Sequence, residues 1–173
     1  MSTTPVTALP VLSTTSGVVF PDMVVTFRLE SASARAALES AGSAGNQLLL
    51  VPQLDHRSAS IGTIVRVEHS QKMPDGSPAA VIRGVERARV GAAVAGEGSA
   101  LWVEADPIDA QDDHRPGLGE MVTEYRALAT RLLEMAGAPS MAAALNEVTS
   151  PGALADTIGW WPDLDFARRV ELL

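Results

Sequence analysis

The chain has no cysteine, a single lysine at position 72 and only 4% aromatic residues; its 13 basic residues are outnumbered by 21 acidic ones among 173, a net charge of −8. Each scarcity removes a class of function. Without cysteine, neither a disulfide scaffold nor a thiolate metal site can be built. Lys72 is followed by Met73, so there is no Gly-Lys-Ser/Thr phosphate loop. A Ser–Lys dyad would need that same lysine, which sits at a hairpin tip where nothing would desolvate it. No apolar run approaches the ~18 residues that span a bilayer, and the start MSTTPVTALP has neither the basic nor the apolar segment of a secretory signal. The expectation is a soluble, cytoplasmic protein with no membrane partner. The pI of 4.8 counts against nucleic acid as a partner, because phosphate contacts need a basic footprint.

The three histidines, His56, His69 and His114, lie far apart. Asp55-His56 and Asp112-Asp113-His114 offer no spacing that a zinc ion favours. No metal, no cofactor and no catalysis by these residues alone is expected. What is present is 46% apolar residues, enough for a packed globular core in one domain or two small lobes.

The first half reads in twos. Val25, Phe27 and Leu29 alternate with Thr26, Arg28 and Glu30, a half-buried strand from Val24 to Glu30. Ser31 caps a short Ala-rich helix ending near Ala41, with Gly42 as its stop. Leu48-Leu49-Leu50-Val51 is a continuous apolar run of the kind found in buried central strands. Ile61, Thr63, Val65 and Val67 share one face of the next strand, with Arg66 and Glu68 opposite. Met73-Pro74-Asp75-Gly76-Ser77-Pro78 is a turn; the return strand runs from about Ala79 to Val90 and bends or bulges at Gly84. A further strand from Ala100 to Asp106 places Leu101, Val103 and Ala105 together. Short strands at close spacing with one small helix predict a compact β-barrel or sandwich.

The second half reads in threes and fours. Beyond an acidic, aperiodic stretch from Asp109 to Gly117, Leu118, Met121, Val122, Tyr125, Leu128, Ala129, Leu132, Leu133 and Ala136 recur at helical spacing. Gly137 and Pro139 end that helix, and Ser140 caps a second to about Val148. Ser150-Pro151 opens a third that ends near Gly159. A fourth begins after Pro162-Asp163 and is still running at Leu173.

Two constellations remain. Arg66, Arg83, Arg87 and Arg89 fall on paired strands and read either as an anion or RNA face or as a solvated face with cross-strand partners, Glu68 and Glu86 lying among them. The acidity of the chain favours the second. The other is apolar material in loops: Phe20-Pro21-Asp22-Met23, Met73-Pro74 and Trp160-Trp161-Pro162. Exposed Met and aromatic side chains form adaptable surfaces for many peptide sequences; the Trp pair, between two helices, is expected to pack inward.

In order and spacing, these segments resemble the amino-terminal domain of the ATP-dependent Lon proteases. The resemblance runs from Leu9-Pro10-Val11-Leu12 through Phe20-Pro21-Asp22-Met23, Gly62-Thr63-Ile64-Val65-Arg66-Val67 and Pro74-Asp75-Gly76 to Arg83-Gly84-Val85-Glu86-Arg87-Ala88-Arg89-Val90. It continues in Pro151-Gly152-Ala153-Leu154-Ala155-Asp156 and Val170-Glu171-Leu172-Leu173. The Arg- and Ala-rich composition looks like that of an actinobacterial member. Asp22 departs from the glycine common in the family's Phe-Pro-Gly-Met loop, and Ser13 stands where a second proline is common.

The resemblance implies an α+β fold: a PUA-like β-barrel or sandwich lobe with one short helix (9–109), a linker (110–117) and an all-α lobe (118–173), behind a disordered tail (1–8). It implies a non-catalytic domain that selects unfolded or degron-bearing polypeptides and supports a homo-hexamer. ATPase and Ser–Lys protease domains, with ATP and magnesium, would lie outside these residues, and the helix running at Leu173 would be where the family chain continues. The expected substrate-binding residues are Phe20, Pro21, Met23, Met73 and Pro74. The alternatives are a stand-alone adaptor or nucleic-acid module and a purely structural oligomerisation domain.

Overall fold

The computed structural model describes residues 6–108, 116–161 and 163–173. It divides into two compact units, Met1–Asp109 with Asp163–Leu173, and Ala110–Pro162.

The first unit is a seven-stranded sheet with two helices: β1 Thr7–Thr14, β2 Val24–Arg28, α1 Ala32–Ala41, β3 Gln47–Leu54, β4 Arg57–Ser58, β5 Ile61–Lys72, β6 Pro78–Val94 and β7 Trp102–Pro107. Strand order is β1-β7-β6-β5-β3-β4, with β2 on β6 and an additional parallel pairing of β1 with β3. The pairings β1–β7–β6–β5–β3–β1 thus form a circuit, but bulges in β5–β6 and β6–β7 and the side strands β2 and β4 keep it from being a regular barrel. The expected barrel-or-sandwich lobe is therefore present in irregular form.

β3 is the middle of the unit. Leu48 and Leu50 enter one apolar cluster, with Phe20, Met23, Val65 and Ile82. Leu49 and Val51 enter another, with Leu9, Ile64 and Val103. A strand buried on both faces is what an uninterrupted apolar run encodes. α1 lays Ala34, Ala37 and Ala41 on the first cluster, and the Ser31 hydroxyl accepts from the Ala34 N–H at 3.0 Å as its N-cap. Gly42 does not stop the chain: it opens a 3₁₀ turn, Gly42–Ala44, and the left-handed residue is Gly45 at φ 64°. Thr7 and Ala8, expected in a disordered tail, instead pair with Ala105 and Glu104 of β7; residues 1–5 of that tail lie outside the described residues. Leu101, expected on one side with Val103 and Ala105, precedes β7 and is exposed, because the strand begins one residue later.

The second unit holds α2 Leu118–Met135, α3 Pro139–Glu147 and α4 Pro151–Asp156, the last continuing as a 3₁₀ turn, Thr157–Trp160. Ala129, Leu145 and Leu154 form its core. The Arg126 guanidinium donates to the Leu145 and Val148 carbonyls at 2.7 Å each, tying down the end of α3, where the Leu145 carbonyl also accepts from the Val148 N–H. Ser150 caps α4 by accepting from the Ala153 N–H. Of the expected linker, residues 110–115 lie outside the described residues.

The last helix, α5 Phe166–Leu172, was expected with the helical lobe. It belongs to the sheet unit instead. Phe166, Val170 and Leu173 pack on the cluster around Phe20, and Arg87 donates from Nε to the Leu173 main-chain oxygen at 2.6 Å. The apolar residues of this short helix find their partners in the sheet, so the helical unit is an insertion and not a C-terminal lobe. Among the described residues no helix is long and apolar enough to cross a membrane.

Candidate functional site

The loop Phe20–Met23 is held by main-chain bonds to β6. The Asp22 N–H donates to the Gly84 carbonyl at 3.0 Å, and the Gly84 N–H donates to the Met23 carbonyl at 2.8 Å. The approach is close enough that a Cβ on Gly84 would stand 2.1 Å from the Phe20 carbonyl oxygen. Val85 is the extra residue here, since Ile64 pairs with Glu86 and Val65 with Gly84; the bulge expected at Gly84 exists, and it seats the loop. Below it, the Thr63 hydroxyl donates to the Val19 carbonyl at 2.5 Å, and the Arg87 guanidinium lies 5.5 Å from the centre of the Phe20 ring.

This geometry corrects two of the five expected binding residues. Phe20 is 0% and Met23 5% exposed: both side chains are core, the Met23 sulfur accepting from the Phe20 N–H at 3.3 Å. An apolar loop docked on a sheet spends its largest side chains on its own core. Pro21 and Met73 remain partly accessible, and Pro74 is exposed.

These three do not form one patch. Pro21 lies beside Gly84, whereas Met73 and Pro74 lie at the β5–β6 tip, where the Met73 N–H donates to the Ser77 carbonyl at 2.9 Å. The stretch of β6 from Pro78 to Gly84, about 20 Å of strand, separates them. The tip is tied down by Asp75, whose carboxylate accepts from the Ser77 hydroxyl and N–H and pairs with Arg28 at 3.1 Å. Those Ser77 bonds first, and then Arg28, hold its pKa below the ordinary value.

The arginines are divided among separate partners. Arg83 bonds Glu68 at 2.9 Å, Arg89 lies 3.6 Å from Asp106, and Arg87 holds the end of α5. The cross-strand reading with Glu68 among the partners fits this arrangement better than a continuous anion face. His56 and His69 are exposed, His114 lies outside the described residues, and among those described no group of three or more His, Cys, Asp or Glu could hold a metal ion.

The largest exposed apolar residues are elsewhere. On α2, Met121 is 66%, Leu128 57%, Leu132 50% and Met135 75% exposed. Beside them, Tyr125, Leu128, Ala129, Leu132, Ile158 and Trp161 line a shallow apolar groove of about 230 Å³. Of the Trp pair expected to pack inward, Trp161 is partly buried and Trp160 is half exposed. Helical spacing groups Met121, Leu128 and Leu132 with Val122, Tyr125, Ala129 and Leu133 on one apolar arc; Met135 and Ile158 are not among the residues it nominates. The exposed members lie on the part of that arc which the core of Ala129, Leu145 and Leu154 does not use.

Comparison with known proteins gives this architecture a family. The profile described as the ATP-dependent protease La (LON) substrate-binding domain matches residues 8–173. The chain belongs to that family. Lon substrate-binding domains similar to it include the corresponding part of a Lon protease from Salinispora arenicola, 39% identical over 95% of this chain and 21% of that protein. The Lon protease of Mycolicibacterium smegmatis is 34% identical over the same shares. The chain therefore spans about a fifth of the length of these curated relatives. Among solved structures, the N-terminal domain of a Mycobacterium avium complex Lon protease superposes with a TM-score of 0.88 at 34% identity, covering 95% of this chain and 88% of that one. The Lon N-terminal domain protein of Xanthomonas campestris, at 21% identity and a TM-score of 0.57, shares the fold. The actinobacterial relatives and the arginine-rich composition agree.

Proposed function

We propose that this domain is a non-catalytic recognition unit of a Lon-type protease, which binds unfolded or degron-bearing polypeptides and delivers them to ATPase and protease domains supplied outside these residues. The observation that carries the reading is the match to a substrate-binding domain along residues 8–173. In a homo-hexamer, weak contacts would suffice, because linked copies multiply the effective concentration. Recognition of apolar segments discriminates unfolded from folded chains, since folding hides those segments. Of the residues the sequence nominates, Pro21, Met73 and Pro74 remain to meet a substrate, while Phe20 and Met23 hold the Pro21 loop in place. Two separate apolar contacts about 20 Å apart suit an extended chain laid along β6 better than a compact ligand.

The test is binding of a fluorescent, permanently unfolded protein, with its folded form as control. Met73→Asp with Pro74→Asp is expected to weaken binding of the unfolded form about tenfold, as loss of one small apolar contact implies. Unchanged affinity in a folded variant removes the hairpin tip from the site.

A further inference from the structure

One face of α2 carries apolar residues along its whole length. Leu118, Met121, Tyr125, Leu128, Leu132 and Met135 follow one another at alternating steps of three and four, a spacing that also fits the heptad seam of a coiled coil; Met121, Leu128, Leu132 and Met135 are exposed, whereas Tyr125 is half-buried on the unit's own core with its hydroxyl 3.1 Å from that of Thr157. Leu118, Tyr125 and Leu132 take the a positions; Met121, Leu128 and Met135 take the d positions. The flank after each d position, Val122 and Ala129, is spent on the unit's own core. The flank before the second and third a positions is open and charged: Glu124 and Arg131, both exposed, with no ion-pair partner among the described residues.

We propose that this seam docks the same seam of a second copy of the chain, with the two α2 helices antiparallel. The charges select this occupant. In an antiparallel pair the flank before a faces the same flank of the other helix. A two-fold axis passing beside Leu128 then sets Glu124 of one copy against Arg131 of the other, twice by symmetry, as an isologous interface requires. In a parallel pair the same flank would face Ala129 and Ala136, leaving both charges without partners. An extended apolar peptide would have no use for the 3–4 spacing. The groove lined by Leu128, Ile158 and Trp161 gives a flexible Met side chain from the second copy a place to insert. A helix of 18 residues offers a short seam, so the association is weak and concentration-dependent. This inference is independent of the polypeptide-binding reading.

Sedimentation equilibrium of the chain over a wide concentration range is expected to show a reversible monomer–dimer equilibrium. Leu128→Glu is expected to abolish it while the far-ultraviolet circular dichroism stays unchanged. Glu124→Arg alone, or Arg131→Glu alone, is expected to weaken dimerisation about tenfold by placing like charges together; the two combined are expected to restore it. Restoration is the signature of reciprocal antiparallel pairing, and a general loss of folding or solubility would not produce it. A chain that stays monomeric at millimolar concentration overturns the proposal. So does a double variant as weak as the single ones, or a Leu128→Glu chain that loses unfolded-protein binding and still dimerises.

Discussion

Asp22 sits at φ 63°, in the left-handed region where a side chain beyond glycine is crowded. This accounts for the glycine common at that place in the family, and an Asp, one of the few other residues that visits the region, can stand in for it. Position 22 is exposed, between a core Phe20 and a core Met23, so the carboxylate disturbs no apolar surface. Residue identity alone could not separate these roles: Phe20 and Met23 look like a binding loop until the sheet beneath them is known. At the hairpin tip the chemistry is more legible, since Pro-Asp-Gly-Ser encodes its own turn, and Gly76 has the positive φ, 81°, that an Asp-Gly corner uses. Asp75 supplies a prediction. Its pKa is depressed by Ser77 and then Arg28, so its contribution to the tip is present above the unfolded-state pKa and lost as pH falls through the folded-state one. Carboxylate titration by NMR is expected to place its midpoint below 3.8, and Ser77→Ala is expected to move it back toward that value.

Among the elements, β3 and the β5–β6 hairpin were the most readable, and for different reasons. β3 is read because a four-residue apolar run with turn signals has only a buried sheet to go to. The hairpin is read because its turn and its period agree. β1 escaped notice because Pro10 interrupts its alternation; the proline is tolerated at the position paired with Trp102 and is itself fully buried. β6 is longer than expected, reaching Val94, because a second register shift between Val90 and Ala93 lets it stay paired with β7 past Gly91. Gly84 is the position on which this element and the Phe20 loop both depend. A methyl group there would meet the Phe20 carbonyl oxygen at 2.1 Å and its carbonyl carbon at 2.9 Å, both main-chain atoms, so nothing nearby can yield cheaply. Gly84→Ala is expected to cost about 3 kcal/mol or more, read as a lower urea midpoint with an unchanged slope.

For the molecule as a whole, the change of period near residue 110 correctly separates strands from helices, yet it misplaces the boundary of the units. Periodicity reports what an element is; it does not report what the element packs on. Nothing in Phe166–Leu172 distinguishes a helix that covers a sheet from one that joins a bundle, and only the cluster of Phe166, Val170 and Leu173 with Phe20 settles it. Removing residues 163–173 is therefore expected to destabilise the sheet unit by about 3–5 kcal/mol, uncovering that cluster and taking from Arg87 its bond to Leu173. Trp102, whose indole N–H donates to the Glu97 carbonyl at 2.9 Å, reports the sheet unit, and Trp160 and Trp161 report the helical one. The Trp102 indole resonance is expected to broaden or shift at lower temperature in the shortened chain, while the other two persist.

The return of α5 to the sheet also decides how the domain would carry load. A tether attached at Leu173 transmits tension straight into the Phe20 cluster and the Arg87 clasp, without passing first through α2, α3 or α4. The first event expected under such a pull is the peeling of one short helix, a mechanical fuse that exposes Phe166 and Val170 before any strand of the sheet has to part.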